Sequence, residues 1–309
     1  MKLYLGTDEG LAVFEGQEEE WRPRYVRLEE HSITAVATAG KVLWAGTPTG
    51  LWRSLDGGPT WWPSITGKDP CHVRSLAVLG GSVATTLVGG EPASIYVSRD
   101  NGESWVEAPD VVRLRDEYKW ELPYSPAAGC IRDFATVRSR IYAAVEVGGV
   151  LRSDDVGQSW QLLGGGLDAD VHEVIGNEIY PDLMYAATGG GRYRSRSGGD
   201  EWEVIGDGYT RSIWVDPERP VTLLAGPARY VGAMGRVERS TNGGDSWALA
   251  SDGFDIPMNN MVERFVGVGS HVMAVMSDGD LFIAKRGVWM WGRLDLGLAP
   301  VRALAASDE

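Results

Sequence analysis

A phrase ending in tryptophan recurs along the 309-residue chain and restricts the fold more than any other feature. Its copies are Ser54 to Trp61, Ser98 to Trp105, Ser153 to Trp160, Ser195 to Trp202 and Ser240 to Trp247. The shared pattern is Ser-x-Asp-x-Gly-x-Ser/Thr-Trp. The last two copies carry Ser197 and Asn242 where the first three carry Asp56, Asp100 and Asp155. The tryptophans step by 44, 55, 42 and 45 residues. Trp21 lies 40 residues before Trp61, and Trp291 lies 44 after Trp247, so the chain holds seven units.

Each unit reads as four short strands. In the second unit these are Ile33 to Ala37, Val42 to Gly46, Leu51 to Ser54 and Trp61 to Ser64, separated by Gly, Asp and Pro. Helical periodicity is confined to Arg113 to Glu121. Four strands in a period of about 40–45 residues define a propeller blade. The expected fold is therefore all-β: a single seven-bladed β-propeller over 1–309. Its blades run over 1–28, 31–66, 72–108, 130–165, 171–206, 210–250 and 261–296. Val301 to Ala306 matches the first strand of the other units, while Leu3 to Gly6 matches the second, so the C-terminal strand is expected to complete the N-terminal blade.

Composition narrows the function. Lys and Arg total 29 against 43 Asp and Glu, a net charge of −14, which argues against a nucleic-acid partner. No apolar run approaches the roughly 18 residues of a membrane helix, and the N-terminus lacks a secretory core. A cytoplasmic, monomeric protein with no membrane partner is the expectation. Cys71 and Cys130, the only two cysteines, are expected as free thiols.

The recurring phrases resemble Asp-boxes, or BNR repeats, of sialidases and other glycoside hydrolases, of the photosystem II assembly factor family and of sortilin-type receptors. The run from Trp214 through Pro220 to Gly226 is similar to a phrase of bacterial BNR-repeat proteins. In that family the box is the turn between the third and fourth strands. The residues agree: Asp can bond backbone N–H groups a few residues on, Gly supplies a positive φ, and Trp packs between blades. One Asp per turn is too few oxygens for calcium. The boxes are thus read as stabilising turns.

The opposite ends of the blades carry the candidate site. Aligning first-strand starts gives Thr34, Arg74, Arg132, His172, Arg211, Glu263 and Arg302; a one-residue shift would exchange Glu263 for Arg264. Arginines gathered in one funnel repel one another unless an anion lies among them, and their donor forks suit carboxylate or phosphate. Asp133, Glu173 and Glu263 are adjacent carboxylates that could pair with them instead. Turns between second and third strands add Asp8, Glu9, Glu91, Glu146, Arg229, Tyr230 and Asp278. The insertion 106–129, with Trp120 and Tyr124, is expected as a lid, and Ser251 to Asn260 as a shorter one.

The resulting expectation is binding of an anionic small molecule or acidic peptide by Arg74, Arg132, Arg211, Arg302, Arg229, Tyr230 and Trp120. A hydrolase or lyase acting on an acidic substrate is the alternative, with Glu263 or Glu146 as general base and His172 as proton carrier. The sialidase resemblance implies an arginine triad, a Tyr–Glu nucleophile pair and an Asp acid/base. The Arg-Ile-Pro motif and an alignable acid/base are missing, and seven units replace six. A protein-docking scaffold is the third reading. No cofactor is expected, and no metal, because His31, His72 and His172 occupy non-equivalent positions.

Overall fold

The computed structural model describes residues 1–65, 72–80, 84–122 and 129–308. Among them are seven antiparallel sheets, six of four strands and one of four with a short fifth added, and one α-helix, and the fold is a seven-bladed β-propeller. In the first blade the C-terminal strand Val301–Ser307 pairs with Lys2–Thr7, followed by Gly10–Gln17 and Glu20–Arg27. The second comprises Ala35–Ala39, Val42–Thr47, Gly50–Ser54 and Trp62–Ile65; the third His72–Leu79, Thr85–Glu91, Ile95–Ser98 and Val106–Glu107. The fourth holds Cys130–Val137, Arg140–Glu146, Gly149–Ser153 and Gln161–Leu163; the fifth Val171–Gly176, Met184–Thr188, Gly191–Ser195 and Glu203–Gly206. The sixth runs Tyr209–Val215, Leu223–Tyr230, Glu238–Ser240 and Ala248–Leu249, with Ala233–Gly235 added to its second strand. The seventh is Val262–Val268, His271–Met276, Leu281–Lys285 and Gly292–Arg293.

The chain groups into two compact units. One holds Met1–Ile131, Val268–Ser270 and Leu294–Glu309, and the other Arg132–Gly267 and His271–Arg293. Second strands are buried on both faces (Leu43, Trp44 and Ala45; Tyr142, Ala143 and Ala144), which explains their unbroken apolar runs. No helix among the described residues is long and apolar enough to cross a membrane.

The recurring phrase is the turn between third and fourth strands. Asp155 Oδ1 accepts the N–H groups of Gln158 and Ser159 at 2.9 Å, and Ser153 Oγ accepts Gly157 N–H at 2.8 Å. Asp56 and Asp100 repeat the arrangement. These hydrogen bonds, led by the Thr60, Ser104 and Ser159 hydroxyls, hold the three carboxyls down at about 2. Asn242 Oδ1 takes the same Ser246 N–H at 3.0 Å and Ser197 Oγ the Glu201 N–H at 2.9 Å, so the turn survives without a charge. Gly157 sits at φ +81°, where a side chain would strain the turn. Two of the tryptophans reach the preceding blade: Trp105 Nε1 donates to Ser64 Oγ, and Trp247 Nε1 to the Ile205 carbonyl at 2.7 Å.

The helix expected over Arg113 to Glu121 spans Pro109–Tyr118 instead. Pro109 opens it with a preset φ, and Lys119 closes it in the left-handed region. Its Arg115 donates to the Ala93 carbonyl at 3.3 Å, beside the second-to-third strand turn of its own blade. Trp120, expected as a ligand-binding lid residue, is only 3% exposed, so it packs inward rather than presenting a face to a ligand. The short segment Ser251 to Asn260 is likewise no open lid: Phe254 stacks on Phe282 and Trp291, and Met258 is buried. Tyr124 and Cys71 lie outside the described residues. Cys130 is buried in the first strand of the fourth blade.

Candidate functional site

The aligned first-strand positions stand out for a backbone reason the sequence conceals. Register shifts between first and second strands fall at Val73/Ser75, Val171/Glu173 and Thr210/Ile213. In the first blade Gly6 faces Ala303 while Thr7 faces Val301. Arg74, His172 and Arg302 are therefore the extra residues of β-bulges, and Arg211 and Ser212 together face the single Gly226, irregularities that turn side chains out of the regular alternation.

In the first unit each such cation meets a carboxylate from the second-to-third strand turn of its own blade. Arg302 Nη2 lies 2.9 Å from Asp8 Oδ2, and Ser32 Oγ donates to Asp8 Oδ1 at 2.9 Å. The Arg302 hydrogen bond draws the Asp8 carboxyl below its usual range. Arg74 lies 3.6 Å from Glu91. His72 approaches the same carboxylate at 3.9 Å, but burial and the Arg74 charge push it down to about 4. It is neutral at pH 7, so that approach is not an ion pair. Thr34 Oγ1 donates to the Val73 carbonyl. His31 stacks on Trp52.

The second unit gathers a denser cluster. Arg132 lies 3.5 Å from Glu146 and 4.0 Å from Glu263. Arg211 pairs with the other oxygen of Glu263, and its Nε donates to the Tyr209 hydroxyl at 3.3 Å. Burial works against the Arg211 charge, yet Glu263 and Tyr209 outweigh it and raise the guanidinium above its usual value. His172 is enclosed. Its Nδ1 lies 2.9 Å from the Thr210 carbonyl; its Nε2 lies 3.2 Å from both the Tyr209 hydroxyl and Asp170 Oδ1. Glu146, Asp170 and His172 bring one ligand atom each within 4.8 Å of one another. Asp170, before the strand, and Tyr209, two residues before Arg211, escaped the sequence reading. Tyr209 lies two residues before Arg211 in the same strand, and that spacing was the available signal.

Both Glu263 and Arg264 are engaged, on different partners. Arg264 Nη2 donates to Asp133 at 3.0 Å. Asp133 and Glu173 are buried, and burial raises both carboxyls, Glu173 to about 8. They belong to a row of sideways bonds to the next blade. Asp133 accepts the Val174 N–H, Glu173 the Ile213 N–H at 2.7 Å, and Ser212 the Phe265 N–H at 3.0 Å. In the first unit Ser75 donates to the Ile131 carbonyl at 2.7 Å.

One expectation changes. Arg74, Arg132, Arg211 and Arg302 do not depend on an external anion for charge balance, because Glu91, Glu146, Glu263 and Asp8 supply it. The carboxylates lie at the same blade ends in the sequence, but which of them meets which arginine depends on the folded register. Arg229 and Tyr230 form an exposed pair at a hairpin tip, the guanidinium 5.5 Å from the ring centre.

No family model and no curated protein matches the chain. Solved structures do match in fold. YCF48 bound to D1 peptide aligns with TM-score 0.65 at 16% identity, over 91% of this chain and 89% of that one. The GH74 xyloglucanase from Xanthomonas campestris gives TM-score 0.70 at 19% identity, over 97% of this chain but 52% of the enzyme. An ancestral GH74 enzyme gives 0.64 at 18% identity, over 91% and 37%. These likenesses establish the propeller fold.

Proposed function

We propose that the second-unit cluster binds a carboxylate-bearing small molecule or an acidic peptide segment through Arg132 and Arg211. The observation that carries this reading is Glu263, one partly exposed carboxylate shared by both guanidiniums. It occupies the place a ligand carboxylate would take, and such a charge-assisted site is selective for planar anions. Arg229 and Tyr230, at the exposed end of a second strand in the same unit, are further candidate contacts, while Arg74 and Arg302 are each held by a carboxylate within the first unit. That YCF48 is bound to a peptide makes a peptide occupant compatible with the fold.

Calorimetric titration with citrate and with an acetylated oligoglutamate peptide tests the reading. Glu263→Gln removes the internal competitor and should tighten binding about tenfold, the equivalent of roughly 1.4 kcal/mol. Arg211→Ala should abolish it. Equal affinity in the wild type and Glu263→Gln would refute the proposal. A hydrolytic reading gives Glu263 or Glu146 the general-base role and His172 the proton. It is supported by the closeness of His172 to Asp170 and Tyr209. Turnover of an acidic glycoside, lost in Glu263→Gln, would favour it.

A further inference from the structure

We propose that Glu146, Asp170 and His172 form a binding site for a divalent transition-metal ion, distinct from the arginine pair beside it. The first support is the tautomer of His172. Its Nδ1 lies 2.9 Å from the Thr210 carbonyl, which can only accept, so the proton is on Nδ1. In the neutral ring Nε2 then presents a lone pair. A backbone acceptor on one ring nitrogen is the arrangement that orients the other toward a metal.

The second support comes from Asp170. Asp170 Oδ1 is enclosed and receives no hydrogen bond. Its neighbour at 3.2 Å is the His172 Nε2 lone pair, an approach without hydrogen-bond alignment. Two acceptors buried face to face are costly unless a cation lies between them. The Tyr209 hydroxyl accepts from Arg211 and is 3.2 Å from Nε2, so it can donate to one of the two at most. Glu146 brings a third oxygen from the end of its strand, within the same 4.8 Å span.

Metal–ligand bonds of about 2.0–2.2 Å place neighbouring ligand atoms about 3.3 Å apart. Drawing in Glu146 by rotation of its side chain closes the set. One imidazole and two carboxylates favour Zn²⁺, Mn²⁺ or Co²⁺ over Mg²⁺ and Ca²⁺, which prefer all-oxygen shells. Three protein ligands leave a position open, as in catalytic rather than structural sites. Arg132 shares Glu146, so binding is weaker than in a closed structural site.

The test uses the full chain, stripped with EDTA and titrated with Zn²⁺ against a chromophoric chelator. One equivalent should bind, the melting temperature should rise, and Co²⁺ should give visible ligand-field absorption. Asp170→Asn and Glu146→Gln, each checked for the native circular-dichroism spectrum, should weaken Zn²⁺ at least tenfold and abolish the Co²⁺ band. A tenfold excess of Mg²⁺ should not compete. No stoichiometric binding by the wild type, or binding undiminished in both variants, would overturn the proposal. The readout involves no anion, so its failure is separable from failure of the arginine site.

Discussion

Arg192 in the fifth blade offers a demanding test of the packing argument. Its side chain is 2% exposed, yet it carries a charge. Nη1 donates to Glu238 Oε2 at 2.5 Å, Nη2 donates to the Asp207 carbonyl at 3.1 Å, and the guanidinium lies 4.3 Å from the Trp247 ring centre. Gly206 makes the room: a Cβ there would stand 2.4 Å from Nη2. Burial pulls the guanidinium below its usual value, with Glu238 opposing. Arg192→Met keeps most of the stem and removes the charge. Losing an ion-paired hydrogen bond, a charge-assisted one to a carbonyl and a cation–π contact costs several kcal/mol, and breaking a buried pair typically costs about 3–5 kcal/mol. Glu238 keeps Arg236, whose Nε is 2.6 Å away, so the low end applies, about 3 kcal/mol. Urea unfolding at pH 7, with an unchanged dependence on denaturant, reads this directly. The double variant Arg192→Met/Glu238→Gln should fall short of additivity by about 2 kcal/mol. A single-variant loss under about 0.5 kcal/mol, or strict additivity, would refute the reasoning.

Trp160→Ala should cost about 3–5 kcal/mol in the same assay, as deletion of a buried aromatic; a neutral result would remove tryptophan from the account of blade packing. Arg211→Ala should cost only about 1–2 kcal/mol, because Glu263 keeps Arg132, and a larger loss would mark Arg211 as chiefly structural. The box carboxyls lie at about 2 against an ordinary 3.8, so their stabilisation is complete above pH 4 and lost as pH falls through 2. Urea midpoints of the wild type and Asp155→Asn should therefore differ at pH 5 and converge toward pH 2; a gap independent of pH would contradict that role.

The blade count, the four-strand unit and the exchange of a terminal strand were legible because a turn that must satisfy its own backbone leaves the same residues behind each time. Asp56, Asp100 and Asp155 carry that imprint, and even Asn242 and Ser197 keep its hydrogen bonds. Glu263 and Arg264 were harder. Neighbouring residues of a strand point to opposite sides, and a register uncertain by one residue leaves open which serves which partner, Arg211 for one and Asp133 for the other. Asp170 was invisible for a different reason: it precedes its strand, where no periodicity assigns a direction. Arg192 was hidden by its own charge, since a buried arginine reads as a surface residue until Gly206 and Trp247 are seen beside it.

The bulges have a consequence for how such a protein can change. A residue supernumerary to the strand register has no cross-strand counterpart whose identity must change with it. Arg74, His172, Arg211 and Arg302 sit at such points, while the sheet around them is held by other atoms. Substitution there can exchange one side-chain chemistry for another blade by blade, leaving the pleat untouched. Descendants of one ancestral repeat could thus diverge in what they recognise long before they diverge in shape.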